Sequence, residues 1–139
     1  MTRNPTVMQV VAAAITDQEG RWLLQKRPRG KRHAGMWEFP GGKVEPGETP
    51  LQALVREVNE ELTITLVECG EEPVARAHAE AGGGEPAIVI ALYRILDWNG
   101  SPRPDEDAEL GWFLPAEVSR LALPPLDSAL AAQLFAGAS

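Results

Sequence analysis

The sequence predicts a mixed α/β domain, and three observations carry that prediction. Short apolar runs recur from position 7 to position 114 between turn-forming residues, the first of them rich in β-branched residues. One stretch, 49–62, combines helical periodicity with a capping signal at its start. Two further helical stretches, 115–121 and 127–136, follow the last strand. Strands, one capped helix, more strands and then helices make a mixed α/β fold. With 139 residues, no internal repeat and no linker, one domain spanning 1–139 is expected.

Taken in order, Val7–Thr16 reads as a buried strand, and Trp22–Lys26 as its partner across the turn Asp17-Gln18-Glu19-Gly20. The first apolar run follows one arginine, but its β-branched content and closing turn favour a strand over a signal peptide. Arg27–Met36 has no apolar periodicity and reads as a loop. Trp37-Glu38-Phe39 is a short extended piece, stopped by Pro40-Gly41-Gly42. The helix 49–62 has Thr49 as N-cap, Pro50 at the first helical position and Gln52 completing a capping box. Val67–His78 and Ala87–Asp97 read as strands flanking Gly82-Gly83-Gly84, with Pro73 marking an edge or a break in the first. Leu110–Leu114 is a last short strand. Leu123-Pro124-Pro125 separates the two final helices.

Composition then narrows the function. Hydrophobic residues at 44% and charged residues at 24% are ordinary for a globular chain and argue against disorder. A single cysteine, Cys69, excludes an intramolecular disulfide and any zinc site built on several cysteines. No stretch approaches the ~20 apolar residues of a membrane helix, so no membrane partner is expected and the cytoplasm is the default compartment. The net charge of -7 disfavours nucleic-acid binding. The charge is segregated, however. Seven of the thirteen basic residues lie between Arg21 and Lys43, with Glu38 the only acid among them. From Val44 to Glu72 there are eight glutamates against Arg56 alone. Such a pairing suits a polyphosphate held jointly by cations and carboxylate-bound metal, or simply two solvated surfaces.

At 100° per residue, Leu51, Leu54, Val55, Val58 and Leu62 fall on one broad face of the helix, the one expected to pack on a sheet. Glu57, Glu60 and Glu61 fall together on another face. Carboxylates at these spacings repel, which a solvated face tolerates and a divalent cation turns into ligation. Oxygen-only ligands suit Mg²⁺ or Mn²⁺ beside substrate phosphates. The flanks are more specific. From Gly42 the chain reads Gly, five residues, Glu48, seven residues, then Arg56-Glu57-Val58-Asn59-Glu60-Glu61. This resembles the signature of the Nudix hydrolase family, every fixed position matching except Thr63, which stands where the family has glycine. The preceding Trp37-Glu38-Phe39-Pro40-Gly41-Gly42-Lys43 is similar to the MutT-like branch, and the looser likeness runs from Val7 to Asp127.

That resemblance implies an α/β/α sandwich around a mixed β-sheet. It implies metal binding by Glu57, Glu60 and Glu61, joined by Gly42 and by Glu106, a later acid that approaches the metals or the attacking water. Arg56 and Glu48 match the pair that braces the helix against the loop before it. Phe39, Gly41, Gly42 and Lys43 fall in the stretch that meets substrate. Asp127 stands where MutT has an asparagine that reads oxidised guanine, and where relatives acting on cytidine nucleotides carry an aspartate. A helix-capping role is the plainer alternative for it. The implied activity is Mg²⁺-dependent pyrophosphohydrolysis of a nucleoside triphosphate, with oxidised dGTP preferred and Mn²⁺ able to substitute. Cytidine triphosphates, ADP-ribose, and a binding module that has lost the chemistry are the rivals. A monomer and a homodimer both fit.

The other candidates are weaker. Of the basic loop, Arg27 is the residue expected to grip phosphate. His33 and His78 read as bystanders and Cys69 as a packing thiol. Trp37, Trp98 and Trp112 read as core before base-stacking. Thr63 is expected to alter the geometry after the helix, since a β-branched residue resists the left-handed conformation that glycine allows.

Overall fold

A computed structural model describes residues 7–28, 30, 33–104 and 108–136. The described chain runs β1 (Val7–Ala14), β2 (Trp22–Lys26), β3 (Trp37–Glu38), β4 (Gly41–Lys43), α1 (Pro50–Leu62), β5 (Thr65–Cys69), β6 (Ala75–Ala79), β7 (Ala87–Asn99), β8 (Glu109–Phe113), α2 (Pro115–Val118) and α3 (Pro125–Phe135). The larger sheet has the order β4-β1-β7-β5, with β6 also on β7. Its centre is the parallel pair β1 and β7, Val7 opposite Ala87 through Ala14 opposite Arg94. The smaller sheet is β3-β2-β8 and antiparallel.

Two apolar clusters show how the layers stack. Val11, Ala13 and Ile15 on one face of β1 pack with Ala53, Leu54, Val58 and Leu62 of α1. Ala12 and Ala14 on the other face pack with Leu130 and Ala131 of α3 and with Phe39. Alternate residues of one strand thus serve opposite helices, as the pleat requires. The result is the α/β/α sandwich around a mixed sheet.

Several local expectations need correction. β2 does not pair along β1: after the Asp17 turn only the bridge between Thr16 and Trp22 and the Leu23 N–H to Ile15 carbonyl bond link them. It centres the second sheet instead, between β3 and β8. Pro40-Gly41-Gly42 does not end extended structure, because Gly41–Lys43 pairs antiparallel with Val10–Ala12 of β1. A Cβ on Gly41 would lie 2.0 Å from the Val11 carbonyl oxygen, so only glycine permits that approach. The expected 67–78 strand breaks around Pro73 into β5 and β6, both antiparallel to β7. On α1, Ala53 is buried while Val55 stands 39% exposed. The helix begins with the anticipated box, Thr49 Oγ1 accepting from Gln52 N–H and Gln52 Oε1 from Thr49 N–H. α2 stops at Val118, and α3 starts two residues earlier than expected because proline is accommodated in a first turn.

Candidate active site

Arg56 organises the acidic face of α1. Its Nε and Nη2 reach the two Glu48 oxygens at 2.7 and 2.9 Å. Its Nη1 donates to Glu57 at 2.8 Å and more distantly to Glu60 at 3.4 Å. Nη2 also donates to the Lys43 carbonyl at 3.1 Å, which ties the helix to β4. The planar guanidinium can serve all of these at once because its donors are fixed in a fork. Held this way, the Glu48 carboxyl drops to about 2, and Arg56 is pushed above its own ordinary value by the same carboxylate and by Glu57.

Glu57 and Glu61 project from α1 toward Gly41 and Gly42 of β4. A Cβ on Gly42 would fall 2.3 Å from the Glu57 carboxylate. The glycine therefore makes room for a carboxylate, a more specific reason for it than the expected approach of substrate. Glu61 accepts from the Gly41 N–H at 3.1 Å and from the Gln25 side-chain amide. Burial raises the Glu61 carboxyl to about 8, and the nearby negative charges of Glu57 and Glu38 push the same way against the Gln25 bond. Glu60 stands largely in solvent, its side chain 59% exposed. Among the described residues no three Asp, Glu, His or Cys side chains converge into a ready cation cage. The donor chemistry nevertheless fits a hard divalent ion: oxygen ligands only, a carboxylate seated where a Cβ would otherwise be, and a part-buried acid, Glu61, whose carboxyl is raised first by desolvation and then by the negative charges of Glu57 and Glu38.

Beside this face opens a pocket of about 220 Å³. Gly41, Gly42 and Lys43 form one wall; Arg27, Glu38, Phe39 and Asp127 are among its other lining residues. Arg27 Nη1 pairs with Glu38 at 2.6 Å. Desolvation lifts the Glu38 carboxyl, and the Arg27 bond pulls it back down in part. Asp127 is 7% exposed and its Oδ2 accepts from the Phe39 N–H at 3.0 Å. Burial lifts it to about 7, with Glu38 adding to the rise and the Phe39 bond opposing it. Asp127 is not the N-cap of α3; Pro124 is, and makes no side-chain cap bond. The carboxylate lines the pocket instead.

The remaining candidates fall elsewhere. Glu106 lies outside the described residues. His78 is on the surface near Glu80, and the backbone carbonyl of His33 closes a turn by accepting from Met36. Cys69 ends β5 against the α1 cluster. Trp98 and Trp112 pack on that cluster, and Trp37 meets Phe113 edge-on at 4.9 Å, so none of the three lines the pocket. Thr63 takes the left-handed conformation of the absent glycine, φ 58° and ψ 29°, and its N–H bonds the Asn59 carbonyl. The geometry after the helix is therefore kept, contrary to expectation, with a β-branched residue carrying the strain. Sequence reasoning did not single out Gln25 and Glu38. Gln25 shares strand parity with the core residue Leu23, so an amide at that position was the available signal.

An acidic helix braced against a glycine-bearing strand, with a cationic and acidic pocket alongside, is the apparatus of a phosphoric-anhydride hydrolase. Residues 6–134 match the NUDIX domain, and the chain belongs to the Nudix hydrolase family. Members of that family act on small nucleotides with divalent metal ions. A protein of Escherichia coli K12 named CTP pyrophosphohydrolase is 41% identical over 117 residues, 84% of each chain. An 8-oxo-dGTP diphosphatase of Haemophilus influenzae is 35% identical over 131 residues, 93% of this chain and 92% of its own. The solution structure of the E. coli ORF135 protein superposes with a TM-score of 0.83 at 38% identity, covering 95% of this chain and 91% of that one. No helix among the described residues is long and apolar enough to cross a membrane.

Proposed function

We propose that the chain, acting as a single domain on free nucleotides in the cytoplasm, hydrolyses a nucleoside triphosphate to the monophosphate and pyrophosphate. One observation carries this reading above the rest: Gly42 forms a wall of the pocket and also seats the Glu57 carboxylate. A nucleotide in the pocket would therefore lay its phosphates across the acidic face of α1. Glu57, Glu60 and Glu61, with the Gly42 carbonyl and Glu106, would hold Mg²⁺, or Mn²⁺ in its place; bound there, the ion neutralises charge developing on the phosphoryl oxygens. Arg27 and Lys43 hold the phosphate chain. Glu57 or Glu106 takes a proton from the attacking water. The new oxygen–phosphorus bond forms as the bridging bond between the α and β phosphorus atoms breaks, and pyrophosphate leaves. Arg56 keeps Glu57 in place without touching substrate, and Glu48 keeps Arg56 in place.

Asp127 chooses the base. Ionised, it only accepts, which suits the N1–H and exocyclic amine of guanine and of 8-oxoguanine. Protonated, it donates and accepts, which suits cytosine, whose N4 amine lies beside an unprotonated N3. With its carboxyl near 7, both forms are present at neutral pH. Oxidised dGTP is the first substrate proposed. That protonation state, together with the similarity to a protein named CTP pyrophosphohydrolase, favours cytidine triphosphates as the second. The test is a panel of canonical and oxidised nucleoside triphosphates with ADP-ribose, each assayed with Mg²⁺ and with its products identified. Oxidised dGTP or a cytidine triphosphate should give the highest kcat/KM. A preference for ADP-ribose would overturn the proposal.

A further inference from the structure

Gln25 occupies the middle strand of the smaller sheet, opposite Glu38 of β3 and Leu110 of β8. Its neighbour of the same parity, Leu23, is fully buried in the cluster under α1, and an apolar residue at position 25 would simply extend that face. An amide stands there instead, 6% exposed, with its Nε2 spent on Glu61 Oε1. The other Glu61 oxygen takes the Gly41 N–H. Gln25 belongs to the smaller sheet and Gly41 to the larger, so the Glu61 carboxylate bridges the two sheets, with one donor on each oxygen. Each carboxylate oxygen keeps a further lone pair, so the two bonds orient the group without blocking a ligand. Gln25 is also a neutral donor in a neighbourhood containing Glu38 and Glu57, so it holds Glu61 without contributing charge of its own.

We propose that Gln25 is a positioning residue for cation binding, fixing the rotamer of Glu61 so that its free lone pairs face the Glu57 side. This rests on the reading of Glu61 as a metal ligand, and the experiment separates the two. Mn²⁺ binding to the purified protein, without nucleotide, is measured from the free Mn²⁺ electron paramagnetic resonance signal for wild type, Gln25→Leu, Gln25→Met, Glu61→Gln and the double variant Gln25→Leu/Glu61→Gln. Folding is followed by circular dichroism. Loss of an outer partner of a ligand weakens metal binding by about 10- to 100-fold, and that loss is expected for Gln25→Leu and Gln25→Met. In the Glu61→Gln background, Gln25→Leu should weaken binding no further, because its route to the metal has been removed. Wild-type Mn²⁺ affinity in both Gln25 variants, with Glu61→Gln weakened, overturns the positioning role alone. Failure of both Gln25 variants to fold assigns the residue to the core and overturns it as well. Wild-type affinity in Glu61→Gln overturns the reading of Glu61 as a ligand, and this role with it.

Discussion

The carboxylates of this site differ in what surrounds them, and the differences set distinct expectations for each. Glu57, Glu60 and Glu61 stay outside the apolar face of α1, so replacing all three with Gln should leave the fold intact and relieve repulsion in the metal-free helix. Turnover should nevertheless fall by about 10²- to 10⁴-fold, read from initial rates with Mg²⁺. Asp127 is a different case. Its carboxyl sits near 7 when folded, against the ordinary 3.8, so the folded chain holds a proton that the unfolded chain releases. The group's contribution to stability is full below pH ~4 and is lost as pH rises through about 7, at up to about 1.4 kcal/mol per pH unit. Asp127→Asn keeps an acceptor for the Phe39 N–H and does not titrate. Urea unfolding at pH 5 and pH 8 should therefore show a falling stability in wild type and a flatter one in the variant. For catalysis, Asp127→Ala should lose discrimination between guanine and cytosine triphosphates more than it loses turnover at saturation. An equal loss for guanine, cytosine and ADP-ribose substrates would make the residue purely structural.

At the scale of elements, α1 is held at both ends by features of opposite character. Its start is a low-strain capping box, while its end forces Thr63 to φ 58°. Removing the Cβ there relieves a left-handed strain of about 1–2 kcal/mol, partly offset by the greater freedom of glycine when unfolded. Thr63→Gly should stabilise the protein by about 1 kcal/mol in denaturant unfolding, with kcat unchanged, since the Thr63 hydroxyl donates to the Leu62 carbonyl and its N–H to the Asn59 carbonyl. The helix was legible in the sequence because its signals are local: the cap, the proline and the 3.6-residue period lie within fourteen residues. Strand partners were not legible on the same terms. β2 looked like one arm of a hairpin, yet its partner β8 lies more than eighty residues later, and nothing in Trp22–Lys26 encodes that choice. β4 was missed because proline and glycine usually end strands, whereas here the missing Cβ of Gly41 lets the chain close on β1. The clustering of Glu57, Glu60 and Glu61 on one helical face was readable from spacing, while their proposed role as ligands came from the motif resemblance. The donors on Glu61, Gln25 and the Gly41 N–H, depend on how two sheets meet and so appeared only in three dimensions.

Across the whole molecule, both helical layers contribute residues to the candidate site. α1 supplies the carboxylates from one face of the sheet, and α3 supplies Asp127 from the other, with the glycine strand β4 between them. At its far end α3 grips β6, where Gln133 exchanges two bonds with the Arg76 backbone at 3.0 and 2.6 Å and covers the strand's outer edge. A divalent ion that binds only the folded arrangement stabilises it by mass action. Mg²⁺ at one hundred times its Kd should raise the unfolding free energy by about 2.7 kcal/mol in wild type and by far less in the triple Gln variant. Chelation should abolish turnover, and Mg²⁺ or Mn²⁺ should restore it. The central claim, that this acidic helix directs water to the bond between the α and β phosphorus atoms, is tested most directly by identifying the products released from oxidised dGTP and from CTP in the presence of Mg²⁺. The account predicts the nucleoside monophosphate and pyrophosphate in equal amounts. Orthophosphate and the nucleoside diphosphate as the main products would contradict it.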